Sequence, residues 1–161
     1  MIVVLFGVAG SGKTTIGRLL AEELGWKFYD ADKLHPVSNV EKMRQGIPLT
    51  EADRRPWLEK LRELLKGGIA RKENLILACS ALKEEYRAYL HISDEIKWIF
   101  LKGEYGLIAD RLEQRRGHFM NRNLLRDQFE TLEEPKRDAL VVDVEGDPTT
   151  VVQRIRKQLQ I

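Results

Sequence analysis

The chain of 161 residues has little that would cross-link it or hold it in a membrane. Its single cysteine, Cys79, excludes an internal disulfide and a zinc site built from several cysteines. Its apolar runs fall well short of the roughly 18 residues that span a bilayer. The first residues also lack the basic segment and the small-residue cleavage site of a secretory signal. We therefore predict a cytoplasmic protein with no membrane partner.

An excess of charge of one sign is missing as well. Lysine and arginine total 27 and aspartate and glutamate total 25, which gives a formal net charge of +2. A protein that binds nucleic acid mainly through phosphate contacts carries a larger basic excess, so we expect no nucleic-acid partner. A chain of about 150 residues buries enough surface to fold without cross-links, so we predict one domain over residues 1–161.

Short apolar runs alternate with helical periods along the chain. Runs typical of buried strands occur at 2–6, 26–29, 74–78, 96–101 and 139–144. Helical spacing occurs after the first run, at about 54–66, 82–91, 104–116 and 121–132, and from Asp147 to the end. This alternation predicts an α/β fold with a central parallel sheet of five strands and helices on both faces. Residues 30–57 and 111–135 interrupt it, and we predict a substrate-binding insertion and a lid there.

The first strand runs into a complete Walker A sequence that opens a helix. Its residues are Gly7, Val8, Ala9, Gly10, Ser11, Gly12, Lys13 and Thr14. The glycines let main-chain N–H groups turn inward towards phosphate oxygens, and the helix N-terminus adds partial positive charge. We predict that Lys13 reaches the β- and γ-phosphates and that the Thr14 hydroxyl coordinates Mg²⁺. Together with Thr15, these residues predict an ATP site.

Two carboxylates, Asp30 and Asp32, follow the second predicted strand. In open α/β sheets the carboxyl ends of the strands form the ligand-binding edge. Residues two apart on an extended segment face the same way, so both carboxylates could face the γ-phosphate. We predict that Asp30 holds Mg²⁺ through water and that Asp32 accepts the hydroxyl proton of a phosphoryl acceptor. An isolated Asp-x-Asp is usually a solvated turn, but beside a phosphate loop it favours a kinase.

A regulatory nucleotide switch is the alternative from another class. Its one supporting feature is an apolar strand that ends in Asp143-x-x-Gly146. The Asn-Lys-x-Asp sequence that reads guanine occurs nowhere in the chain. The sequence therefore favours the kinase.

More specific motifs run in order through the rest of the chain. They are DADKLHP at 30–36, NVEKM at 39–43, GIPL at 46–49, DRRPWL at 53–58, ACSALK at 78–83, YR at 86–87, GHF at 117–119 and QF at 128–129. With these motifs, roughly residues 1–145 resemble the P-loop gluconate kinases, or gluconokinases, which are related to shikimate and adenylate kinases.

The resemblance implies a three-layer P-loop kinase fold with a mobile, arginine-rich lid. It implies an enzyme that uses ATP and Mg²⁺ to phosphorylate D-gluconate at the 6-hydroxyl, giving 6-phospho-D-gluconate and ADP. It also implies a homodimer. A kinase of another small hydroxylated acid, such as shikimate, is the nearest alternative.

A polyol acid needs a cation and several hydrogen-bonding groups in its site. The resemblance points to His35, Arg54, Ser80, Lys83 and Arg87. An arginine fork suits a carboxylate, and Lys83 and Arg87 lie four apart on a predicted helix. The alternative is that these two cations pair with acids on a wet surface. Asp53 is also a candidate N-cap of the helix near residue 54.

The predicted lid is rich in arginine. Residues 111–126 contain Arg111, Arg115, Arg116, Arg122 and Arg126 against one acid, Glu113. This bias suits phosphate recognition or stacking on adenine, although an exposed basic helix would look the same. Similarity to related kinases implies that Arg111 stacks on adenine. It also implies that Arg115 or Arg116 neutralises charge on the transferring phosphoryl group.

The chain departs from the family pattern in three places. In the phosphate loop, Ala9 and Thr14 replace residues that are usually serine, and Thr14 keeps the hydroxyl that can bind metal. Ala31 replaces a glycine between the two aspartates, which matters only if that residue needs a positive φ. Ala88 replaces an aspartate that would be a partner for Arg87.

Overall fold

The computed structural model describes residues 1–115 and 122–161. Within these ranges the strands are β1 (Ile2–Phe6), β2 (Lys27–Asp30), β3 (Leu75–Ala78), β4 (Ile96–Lys102) and β5 (Leu140–Asp143). The helices are α1 (Lys13–Leu24), α2 (Val37–Arg44), α3 (Glu51–Ala70), α4 (Glu84–Leu90), α5 (Tyr105–Glu113), α6 (Arg122–Thr131) and α7 (Pro148–Leu159). A short 3₁₀ helix (Ala31–Leu34) follows β2.

The five strands form one parallel sheet in the order β2-β3-β1-β4-β5, as the alternation of strands and helices predicted. The central strand β1 pairs with β3 and β4, and all of its residues are buried. A strand covered on both faces needs apolar side chains throughout, which explains the unbroken run at 2–6. Because the sheet is parallel, the carboxyl ends of β1, β2 and β3 lie side by side at one edge.

Each face of the sheet has its own hydrophobic core. On one face, Trp57, Leu61 and Leu65 of α3 pack against the strands. On the other face, α1 and α7 pack together and contribute Leu20 and Ile155, among others. The predicted helices on both faces are confirmed. Within the ranges described, no helix combines the length and the apolar character that crossing a bilayer requires.

Helix α3 begins earlier than the sequence predicted, and Asp53 is not its N-cap. The N-cap is Thr50, whose Oγ1 accepts a hydrogen bond from the Asp53 amide at 3.1 Å. The Asp53 carboxylate accepts one from the Thr50 amide at 2.9 Å. This reciprocal capping box satisfies two main-chain donors, whereas Asp53 at the N-cap would satisfy one. Pro56 consequently lies in the second turn of α3, and α2 was not predicted at all.

Candidate active site

The phosphate loop joins β1 to α1 and turns through two glycines that no other residue could replace without strain. Gly10 and Gly12 have φ values of +79° and +95°, in the left-handed region. A Cβ on Gly10 would lie 2.7 Å from the Leu112 side chain, and one on Gly12 would lie 2.9 Å from Ile16. Gly12 is the N-cap of α1, so the loop leads directly into a helix N-terminus. This is the geometry of the predicted phosphate cradle.

Two side chains of the phosphate loop are buried in the protein and do not face the phosphate side. Val8 is 3% exposed and Ser11 is fully buried. The Ser11 amide donates to the Val8 carbonyl at 3.2 Å and closes a tight turn. A phosphate at this loop would therefore meet main-chain groups and not these two side chains.

Lys13 lies across the loop that it follows. Its Nζ donates to the carbonyl oxygens of Gly7 at 3.0 Å and Val8 at 2.9 Å. Burial lowers the pKa of Lys13, the nearby Asp32 carboxylate opposes this, and Arg115 adds to the lowering. An anion at the loop would favour the charged ammonium. The structure thus brings Lys13, Asp32 and Arg115, which the sequence predicted as catalytic, into one electrostatic environment.

Asp30 organises the acidic side of the cleft. Its Oδ2 accepts a hydrogen bond from Thr14 Oγ1 at 3.3 Å, and its Oδ1 accepts one from the Asp32 amide at 3.0 Å. A hydroxyl and a carboxylate side by side are oxygen ligands of the kind that Mg²⁺ takes. In the described part of the chain no group of three or more His, Cys, Asp or Glu side chains could hold a metal. An ion at Thr14 and Asp30 would therefore need water or phosphate oxygens to complete its shell.

The alanine between the two aspartates fits without strain. Ala31 is fully buried, and its φ is not among the positive values of the described residues. Its carbonyl accepts a 2.7 Å hydrogen bond from the indole nitrogen of Trp57. The departure from glycine at this position therefore does not disturb the acidic pair. Trp57 therefore ties this turn to α3.

The His35 ring stacks on the Trp57 ring. The two rings stack with centroids 4.3 Å apart and an interplanar angle of 11°. The Asn39 side-chain nitrogen lies 3.2 Å from His35 Nδ1 and donates to the Asp53 carbonyl at 2.8 Å. Asn39 was missed as a site residue, although it opens the motif at 39–43. Its contacts place His35 firmly beside the turn that carries Asp32.

Arg54 and Lys83 converge on one carboxylate. Glu51 Oε1 accepts a 2.7 Å hydrogen bond from the Tyr86 hydroxyl. It also lies 3.6 Å from Lys83 Nζ and 3.7 Å from the Arg54 guanidinium. The Tyr86 hydrogen bond, more than the two cations, lowers the pKa of Glu51. This group has the charge that a sugar acid's carboxylate needs, and sequence reasoning missed both Tyr86 and Glu51.

The residues after β3 lie beside the phosphate loop. The Ser80 carbonyl accepts a hydrogen bond from the Gly7 amide at 3.3 Å, which places Ser80 at the predicted edge of the sheet. Burial raises the pKa of Cys79 to about 12, so its thiol stays protonated and unreactive at neutral pH. Lys83 is the N-cap of α4 and not part of the helix, so the predicted pairing of Lys83 and Arg87 on one helical face is wrong.

Arg87 is buried, and main-chain carbonyls take its hydrogen bonds. It is 4% exposed and packs over the Phe6 ring. Its guanidinium donates to the carbonyls of Ala81 at 2.8 Å, Leu82 at 3.1 Å and Glu133 at 2.7 Å. The predicted substrate contact is therefore corrected to a structural role: Arg87 joins the loop after β3 to the chain that follows α6. Its donors reach main-chain oxygens, which explains why Ala88 can replace an acidic partner.

Replacing Arg87 with methionine is expected to lower the free energy of unfolding by about 3 kcal/mol or more, because buried carbonyls lose charged donors. Ala81 would also lose a contact that holds its left-handed backbone, with φ of +38°. Urea denaturation measures the effect. The matched control, Arg44→Met on an exposed ion pair with Glu41, should cost less than about 0.5 kcal/mol. Equal midpoints for Arg87→Met and the wild type would contradict the structural role.

Arg111 and Arg115 border a cavity of about 220 Å³ beside the phosphate loop. Thr15, Gly146 and Pro148 line it as well. Arg111 donates to the carbonyls of Val144 at 2.8 Å and Gly146 at 3.0 Å. The predicted ATP-site residues Arg111 and Thr15 thus lie in one cavity, next to the glycines of the loop.

Other parts of the lid prediction fall outside the described residues. These are Arg116, Gly117, His118 and Phe119, and also the side chain of Arg122. From the described part, α6 reaches back to the phosphate loop, where the Ala9 amide donates to Gln128 Oε1 at 2.7 Å. Sequence reasoning gave Gln128 no role. The contact shows that an acceptor oxygen fits at this amide of the loop.

Comparisons with known proteins cover almost the whole chain. The shikimate kinase family model matches residues 9–160. Gluconokinase from Gluconobacter oxydans is 43% identical over 161 residues, which cover 98% of this chain and 90% of that protein. A sugar kinase from a Janibacter species has a TM-score of 0.90 and 39% identity, covering 99% of this chain and 94% of that one. A gluconokinase from Sinorhizobium meliloti has a TM-score of 0.82 and 38% identity, covering 98% and 94%.

Proposed function

Because the chain belongs to the gluconokinase family of P-loop kinases, we propose that it transfers the γ-phosphoryl group of ATP to the 6-hydroxyl of D-gluconate. The protein is an ATP-dependent gluconokinase. We also propose the position of transfer, the metal and the residue roles. These proposals rest on one observation. Lys13 and Asp32 lie near each other at one edge of the sheet, beside His35, which stacks on Trp57.

The phosphate loop and its lysine hold the triphosphate. Main-chain N–H groups of residues 7–12 and the Lys13 ammonium bind the phosphate oxygens. Thr14 holds Mg²⁺ directly and Asp30 holds it through water, and a bound ion neutralises phosphate charge. Arg111 binds on the nucleoside side of the cavity. Arg115, with Arg116 as its alternative, balances charge on the transferring group.

Asp32 aims the acceptor. It accepts a hydrogen bond from the 6-hydroxyl and takes its proton as the oxygen bonds to the γ-phosphorus. The bond from that phosphorus to the β–γ bridging oxygen breaks, and ADP leaves. His35 and Ser80 contact the hydroxyls of the sugar acid, and Arg54 and Lys83 bind its carboxylate. The step needs positioning and charge balance more than a strong base.

A coupled ADP-release assay with a panel of acceptors tests the substrate. We expect kcat/KM on gluconate to exceed that on shikimate by about 10² or more, because the site's polar groups would be left unpaired by the wrong acid. Nucleoside monophosphates serve as a second comparison. The position of the phosphate is read from ¹³C–³¹P couplings of the product. Equal rates on shikimate and gluconate would overturn the substrate assignment.

Several features remain predictions from the sequence. They are the division into a substrate-binding insertion at 30–57 and a lid at 111–135, a homodimeric state and a cytoplasmic location. Light scattering of the purified protein measures the oligomeric state directly. A monomer at micromolar concentration would contradict the predicted dimer.

A further inference from the structure

Asn39 is a buried polar side chain whose contacts are specific. It lies on α2 and is 2% exposed, the only asparagine with so little exposure among the described residues. Its side-chain nitrogen lies 2.8 Å from the Asp53 carbonyl oxygen and 3.2 Å from His35 Nδ1. Buried polar side chains in folded proteins are nearly always hydrogen-bonded, and these two contacts are the partners of the Asn39 nitrogen.

The chemistry of these partners fixes the direction of both hydrogen bonds. The Asp53 carbonyl can only accept, so the group that faces it must be the NH₂ end of the Asn39 carboxamide. The second hydrogen of that same nitrogen is then available to His35 Nδ1. A nitrogen that accepts a hydrogen bond carries no proton. In a neutral imidazole the proton therefore resides on the opposite nitrogen, Nε2.

The surroundings of His35 keep its ring neutral. Burial lowers the pKa of His35 to about 4, and the nearby Arg54 guanidinium contributes. On α3, the Asp53 carboxylate is engaged by Lys42 Nζ at 2.7 Å and by the Thr50 amide. Asp32 lies in the 3₁₀ helix just before His35, and its carboxylate raises the pKa of Lys13. At neutral pH the His35 ring is therefore neutral and carries one proton.

We propose that Asn39 is a positioning residue, which holds His35 as the Nε2-protonated tautomer so that the ring donates a hydrogen bond to a hydroxyl oxygen of the sugar acid. This inference rests on the proposed function for the identity of the acceptor, but the tautomer itself does not. Stacking on Trp57 fixes the plane of the ring, and Asn39 fixes which edge carries the proton. The site therefore selects an acceptor atom at this point of the substrate.

Nitrogen NMR of the substrate-free, ¹⁵N-histidine-labelled protein tests the tautomer at pH 7. We expect His35 to show an unprotonated Nδ1 and a protonated Nε2, with its signals assigned by their loss in His35→Gln. A proton on Nδ1, or a doubly protonated ring, would overturn the proposal. No substrate enters this measurement, so its outcome is separate from that of the acceptor panel.

Asn39→Asp tests the consequence for binding. A carboxylate at this position accepts a hydrogen bond from a protonated Nδ1, so the pKa of His35 rises. Above that pKa the neutral ring keeps its proton on Nδ1. The variant's KM for gluconate should then rise about tenfold or more as pH increases through that pKa, because Nε2 has lost its proton. Below it, both nitrogens are protonated and Nε2 donates again. The KM for ATP should not follow this profile.

The control is Asn74→Asp, the same change at an exposed asparagine at the other end of the sheet, which bonds the N-terminal amine. It should leave the pH profile of the gluconate KM as in the wild type. A flat profile for Asn39→Asp, with the NMR spectrum showing the proton moved to Nδ1, would overturn the donor role of His35. If Asn39→Asp does not fold, the wild-type spectrum still decides the tautomer.

Discussion

Asp32→Asn is expected to lower kcat on gluconate by about 10² to 10⁴, the range of a lost general base, while the KM for ATP changes less than about threefold. Asparagine keeps the shape of the side chain and can still hydrogen-bond the acceptor, but it cannot take a proton at neutral pH. The Asp32 carboxylate also raises the pKa of Lys13. Its removal should therefore deepen the loss at alkaline pH. Steady-state kinetics from pH 6 to 9 measure both effects.

The matched control is Asp94→Asn, in the loop before β4. Its side chain is fully exposed and lies at the opposite end of the sheet from the phosphate loop. We expect this variant to keep the wild-type kcat. Turnover of Asp32→Asn within a factor of about three of the wild type would remove the general-base role.

The parts of the site that could be predicted from sequence are those whose geometry is local. Residues 7–14 build the phosphate loop through their own backbone, and the loop needs only a strand before it and a helix after it. Asp30 ends β2 as predicted, but Asp32 lies in the 3₁₀ helix that follows, so the extended geometry expected of this pair is wrong. The fold could also be predicted, because an unbroken apolar run such as that at 2–6 is typical of a strand covered on both faces.

The features that were missed depend on contacts between distant parts of the chain. Gln128 meets the Ala9 amide across 119 positions, and Arg87 reaches the Glu133 carbonyl across 46. No periodicity encodes such a pairing. An arginine near a sugar-acid site is expected to bind a carboxylate, but main-chain oxygens compete for the same donors. Three main-chain oxygens take the donors of Arg87, whereas Arg54 lies 3.7 Å from the exposed carboxylate of Glu51.

The contacts of Glu51 and Tyr86 explain how two cations, Arg54 and Lys83, can lie close together. Arg54 and Lys83 both lie over the Tyr86 ring, 5.9 and 5.8 Å from its centre, and both face the same carboxylate. The ring limits where the cations can lie, and Glu51 offsets their mutual repulsion. The capping box that starts α3 at Thr50 is what brings Glu51 into this position. An error of three residues at a helix start therefore conceals a feature of the site.

Lys13→Met is expected to lower kcat/KM for ATP by about 10² to 10³, the loss that follows removal of one preorganised donor to developing negative charge. Methionine fills nearly the same volume but offers phosphate no proton and no charge. The substitution also removes two hydrogen bonds from Nζ to the Gly7 and Val8 carbonyls, but it removes a partly buried ammonium as well, so the thermal midpoint should fall only slightly. Activity and calorimetry on the same samples separate a lost contact from a lost fold. The control is Lys97→Met, at an exposed position of β4, which should change neither property. A Lys13→Met enzyme that retains the wild-type kcat/KM would contradict the assignment of this lysine to the phosphates.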